Sequence, residues 1–128
     1  MRLQETEKDF QQSVIELAQW HKWLVYHTYR SDRSPAGYPD LTLVRPPRLV
    51  FAELKTATGR ITPAQRHWLQ LLGAVPGVEV YLWRPADWEC LTLLLRPGAE
   101  GTMEECHRHL VGRAGRFVLQ GQARAVCE

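Results

Sequence analysis

GYPDLTLVRPPRLVFAELK, residues 37–55, decides the fold. Two apolar runs, Asp40 to Val44 and Leu49 to Lys55, flank Arg45-Pro46-Pro47-Arg48, and apolar runs around a Pro-Pro turn read as a β-hairpin. If the turn is Arg45 to Arg48, Val44 faces Leu49 and the same register sets Asp40 across from Glu53. Opposed residues hold their Cβ atoms roughly 5 Å apart. Two carboxylates at that spacing repel unless a cation lies between them, and a Mg²⁺ ion with oxygen ligands at about 2.1 Å fits the gap. Strand alternation sends Leu49, Phe51, Glu53 and Lys55 to one face and Val50, Ala52 and Leu54 to the other. An ammonium beside a metal site orients a water or neutralises charge on a phosphate. The bland reading is an exposed strand end carrying an ordinary Glu/Lys pair.

Outward from the hairpin, the chain order is helix, three strands, helix, strand. Thr6 with Asp9 resembles a capping box ahead of a helix from about Glu7 to His21. Phe10, Val14, Leu17, Ala18 and His21 mark its buried face. Residues 23–29 (WLVYHTY) read as a strand, and residues 30–39 have loop composition. Thr62-Pro63-Ala64-Gln65 starts a second helix, which ends near Gly73. Residues 78–83 (VEVYLW) read as a strand, and residues 84–95 fit either a helix or a strand. In the tail, Met103 to Val111 reads as a short helix. The fold class is α/β: an α-β-β-β-α-β core with one mixed sheet flanked by helices.

Two helix residues can add to the acidic pair. Glu7 shares a helix face with Phe10 and Val14, or it merely complements the helix dipole. Gln65 shares a face with Trp68 and Leu69, but it also occupies the capping-box position behind Thr62. His27 is either a helper near the site or an ordinary strand residue.

The 128 residues suit one domain, and 45% hydrophobic content supplies one core. No run is apolar enough for a membrane span, and the charged start MRLQETEKDF lacks a signal core, so a soluble intracellular protein is expected. Cys90, Cys106 and Cys127 are odd in number and form no CxxC pair, which argues against a disulfide framework or a zinc site. The net charge is +2, but residues 22 to 66 hold eight Lys/Arg against three acids. A basic centre suits a polyanion, although a solvated surface has the same look.

The composite of Glu7-x-x-Phe10, Gly37-x-Pro39-Asp40, Glu53-Leu54-Lys55 and Gln65 after a Thr-Pro helix start resembles the VRR-Nuc domains of the PD-(D/E)xK nuclease superfamily. The likeness runs from about Glu7 to Trp88. It implies a restriction-endonuclease-like fold over residues 1–96; residues 97–128, outside the resemblance, are expected to be a C-terminal extension packed on the same domain. It also implies a Mg²⁺- or Mn²⁺-dependent DNA endonuclease that cuts phosphodiester bonds in branched DNA such as Holliday junctions. The resemblance makes Asp40, Glu53, the Leu54 backbone carbonyl and Glu7 the metal ligands. It sets Lys55 beside the attacking water and Gln65 at the margin of the cluster. Stand-alone members of this size look virus-type and resolvase-like, which implies a homodimer in the cytoplasm, the host's if viral. Arg30, Arg33, Ser34 and Arg60 lie on loops flanking the motif and suit contacts to the DNA backbone. The alternatives are a catalytically inactive DNA-binding module on the same fold and a protein-interaction module using exposed Trp20, Trp23 and Trp88.

Overall fold

Thr6 opens the first helix: its hydroxyl accepts the Asp9 N–H at 3.0 Å, satisfying one of the free donors of the first turn. That helix, α1 (Glu7–Trp20), buries Phe10, Val14, Ile15 and Ala18. The computed structural model describes residues 6–29, 32–98, 110–113 and 116–117. Strands β1 (Leu24–His27), β2 (Leu41–Arg45) and β3 (Arg48–Leu54) follow, then α2 (Pro63–Gly73) and β4 (Val78–Trp83). A 3-10 turn (Pro85–Asp87) leads into α3 (Trp88–Leu94), and β5 (Leu110–Arg113) and β6 (Arg116–Phe117) end the described chain.

The sheet order is β1-β2-β3-β4-β5-β6. β1, β2 and β3 pair antiparallel, β3 and β4 pair parallel, and β5 and β6 add antiparallel beyond β4. A parallel neighbour needs a crossover, and α2 supplies it. The hairpin pairs Arg45 with Arg48 and Leu41 with Ala52, the register that the Pro-Pro turn predicts. The strands run up to Pro46 and Pro47 themselves, which are joined by a cis peptide bond.

Side-chain alternation divides the interior. Val50, Ala52 and Leu54 of β3 pack with Leu41, Leu43, Tyr81, α1 and α3 on one face. Phe51 packs with Val78, Val80, Leu82 and Leu69 of α2 on the other. Glu53, two residues on from Phe51, belongs to the α2 face.

One open reading is resolved and one expectation changes. Residues 84–95 are turn and helix, because the Asp87 carboxylate accepts the Arg84 N–H at 2.8 Å and starts a helical turn. The expected tail helix, Met103 to Val111, is contradicted at its end: Leu110 and Val111 belong to β5, and residues 103–109 lie outside the described residues. An edge strand presents unpaired N–H and C=O groups, and β5 pairs with that edge of β4 (Tyr81 with Leu110).

Candidate active site

The hairpin and α2 assemble the site at the C-terminal end of β3. Continued past Leu41, the register sets Asp40 across from Glu53 and Pro39 across from Leu54. Leu54 therefore faces a proline, which has no N–H to give its carbonyl. Its own N–H is taken by the Asp40 carboxylate, Leu54 N to Asp40 Oδ2 at 2.8 Å. In extended backbone, the N–H and C=O of a paired residue leave on the same side. The Leu54 carbonyl thus faces the gap that Asp40 borders. Pro39-Asp40 ends the ladder and fixes one carboxylate.

Glu53 is buried, with 1% of its surface exposed. Its Oε2 accepts the Gln65 side-chain N–H at 2.9 Å and lies 3.8 Å from Lys55 Nζ. Its Oε1 is buried with no hydrogen-bond donor among the described residues. Burial, then the charge of Asp40, push Glu53 up to about 9 against the pull of Lys55; Glu7 adds the weakest push. Burial likewise raises Asp40, against the Leu54 N–H and Lys55. Burial and the Asp40 charge thus favour a protonated Glu53 near neutral pH when no cation is bound.

Gln65 fills both roles that its position suggested. Its Oε1 accepts the Thr62 N–H at 2.8 Å, completing the capping box, while its Nε2 holds Glu53. The helix start thereby orients the buried carboxylate. Glu7 is exposed at the first turn of α1, which packs on the face opposite Glu53. Among the described residues no three His, Cys, Asp or Glu side chains converge as a metal cluster. The groups that do come together are the Asp40 and Glu53 carboxylates, with the Leu54 main chain held against Asp40. Mg²⁺ is commonly held by one or two carboxylates with water on the other positions, so this set fits it.

Of the expected DNA contacts, Arg33, Ser34 and Arg60 are exposed on loops, and Arg30 lies outside the described residues. Ser34 also lines a pocket of about 190 Å³ that Asp40 and Gln65 border. Trp23 corrects the interaction-module reading: it is 3% exposed, and its indole N–H donates to the Leu95 carbonyl at 2.9 Å. Trp20, in contrast, is 79% exposed. His27 packs its ring 4.5 Å from that of Tyr29, and its Nδ1 is buried without a hydrogen-bond partner among the described residues.

Arg84 belongs to no motif in the sequence, yet it shapes the site. Its guanidinium donates to the carbonyls of Thr56 and Gly59 at 2.7 and 2.6 Å. The neighbouring Trp83 carbonyl accepts the Lys55 N–H at 3.0 Å. The end of β4 therefore clasps the loop that leaves Lys55. The available signal was positional: a parallel pair brings both C-terminal strand ends together, and a base directly after β4 must lie near the exit of β3. Comparisons with protein-family models, with curated proteins and with solved structures found no match for this chain.

Proposed function

We propose that this protein is a Mg²⁺- or Mn²⁺-dependent endonuclease acting on DNA, with Asp40, Glu53 and the Leu54 carbonyl as the metal ligands. The observation that carries this reading is the orphaned Glu53 Oε1, buried against a second carboxylate with a lysine alongside. A buried acceptor without a donor is costly, and buried carboxylates are normally paired or coordinate metals. A cation answers the unmet acceptor and, by displacing the proton, lets both carboxylates ionise side by side. The basic stretch 22–66 supports a phosphate-backbone partner, and the resemblance of Pro39-Asp40 and Glu53-Leu54-Lys55 to the nuclease motif supports the reaction class. Branched DNA and a homodimer belong to the same proposal.

Bound there, Mg²⁺ supplies Lewis-acid polarisation of a phosphate oxygen and acidifies water. The chain's own residues do the rest. Leu54 N–H fixes Asp40, and Gln65 fixes Glu53, so neither carboxylate has to reorganise during the reaction. Lys55 offsets negative charge as it builds on the phosphate. Hydrolysis joins a water oxygen to phosphorus as that water gives a proton to solvent, and breaks one P–O bridge, whose departing oxygen takes a proton from solvent. Arg33 and Arg60 hold the backbone without reading its sequence.

Calorimetric titration with Mn²⁺ tests the metal site, and cleavage of a four-way junction with Mg²⁺ tests the activity. The expected result is one or more Mn²⁺ bound by the parent and none at this site in Asp40→Asn or Glu53→Gln. Equal Mn²⁺ binding by all three proteins would overturn the assignment, and metal binding without cleavage would leave an inactive nuclease fold.

A further inference from the structure

We infer that the pocket beside Asp40 takes the nucleoside next to the cleaved phosphate, with its base unpaired. This rests on the nuclease reading and deepens it by naming the form of DNA that fits. Asp40 and Gln65 form the wall shared with the carboxylate site, and Thr28, Tyr29, Ser34 and Tyr38 line the remainder. Among the described residues no Lys or Arg lines it, and the charged lining group is Asp40. A phosphate gains nothing from such walls, whereas hydroxyls and aromatic rings suit a neutral sugar and base.

The α2 side of the pocket is preformed. Gly37 has φ +95°, and a Cβ there would come within 2.5 Å of the Ala64 carbonyl group, so the loop lies directly on the start of α2. The Trp68 indole N–H holds the Ala36 carbonyl at 3.1 Å. Tyr38 stands edge-on to Trp68 at 5.0 Å and to Phe51 at 6.2 Å, and its hydroxyl meets Thr42 Oγ1 at 3.2 Å. Tyr29, by contrast, is 88% exposed at the mouth, with its ring against that of His27 among the described residues. It offers a free face on which a base can stack.

Connectivity then fixes the occupant. With a phosphate at Asp40, Glu53 and Lys55, one sugar separates it from the adjoining base, and the neighbouring space is this pocket. A base stacked inside a duplex cannot enter without unpairing, which costs a few kcal/mol and least where the base is already unpaired. A fork or junction with an unpaired nucleotide at the cut is therefore preferred over continuous duplex.

The test is a double-mutant cycle between protein and DNA. Forked DNA carries either a normal base or an abasic residue at the unpaired position next to the cut. Affinity is measured with Ca²⁺ and cleavage with Mg²⁺. Stacking of one base on an aromatic ring corresponds to about a tenfold effect or more. The abasic residue should weaken binding by the parent about tenfold, and Tyr29→Ala should do the same with normal DNA. The two changes together should cost no more than either alone, and Tyr29→Phe should behave as the parent. An abasic residue that costs the parent nothing, or effects that multiply, overturn the pocket while leaving the nuclease reading standing. A parent that neither binds nor cleaves any DNA overturns both.

Discussion

The two ends of β3 each bury charge, and they treat it in opposite ways. At its start, Arg48 meets both oxygens of Glu79 at 2.8 Å, and its third donor reaches the Leu94 carbonyl at 2.8 Å. Glu79 also accepts the Tyr81 hydroxyl at 2.7 Å, and the guanidinium lies 5.0 Å from the Trp23 ring centre. At its end, Glu53 faces a second carboxylate, its lysine is 3.8 Å away, and one oxygen has no donor among the described residues. The same strand thus shows what burial of charge looks like when the fold closes it and when the fold leaves it open. The first is a structural clasp joining β3, β4 and the end of α3. The second is where we propose that a cation binds.

The comparison breaks most easily at the closed end. Arg48→Ala takes the guanidinium away from the buried Glu79, and losing one member of a buried pair typically costs about 3–5 kcal/mol. Urea unfolding should show that loss directly. The matching change at the open end, Glu53→Gln, replaces a carboxyl that the fold already holds in its protonated form with a neutral amide, so it should leave the metal-free protein no less stable. If the two variants were destabilised alike, both ends would be structural.

Lys55→Ala sharpens the functional side. Losing one preorganised group of this kind costs on the order of 10²–10³ in rate. Single-turnover cleavage of branched DNA should fall by that factor while folding and Ca²⁺-supported DNA affinity change little. Extra Mn²⁺ should partly restore Glu53→Ala but not Lys55→Ala. A parental rate for Lys55→Ala would make the lysine a bystander.

The hairpin makes the acidic pair legible in the amino-acid sequence itself. Pro46-Pro47 marks the turn, alternation assigns faces, and the register follows from those two facts alone. Gln65 is legible as a cap and as a site residue separately, and only the packing of α2 over Glu53 shows that one side chain does both. Arg48 and Glu79 are illegible as a pair, because parallel register between β3 and β4 is set by the length of the α2 crossover rather than by a turn. Trp23 misleads for a related reason: its partner, the Leu95 carbonyl, lies 72 residues away along the chain. The weak pattern of the tail misleads because pairing with the β4 edge outweighs local propensity.

The smallest expected effect is a slope. Glu53 has an ordinary value of 4.5 and is pushed up to about 9 in the fold, chiefly by burial and by Asp40. Below pH 4.5 the folded and unfolded chains both carry its proton. Between 4.5 and about 9 only the folded chain keeps it, so unfolding releases a proton and stability falls as pH rises. One proton sets a limit of about 1.4 kcal/mol per pH unit. Asp40 is shifted in the same direction and adds to the trend. Nothing comparable attends Glu53→Gln, which carries no titrating group at that position, so its urea midpoint should fall less steeply from about pH 6 to about pH 8. A divalent cation must displace the Glu53 proton, so Mn²⁺ affinity should rise with pH and its stabilising effect should grow over the same window. Parallel pH profiles for parent and Glu53→Gln, with and without Mn²⁺, would mean that Glu53 is already ionised and partnered, and the open end of β3 would then be as closed as the other.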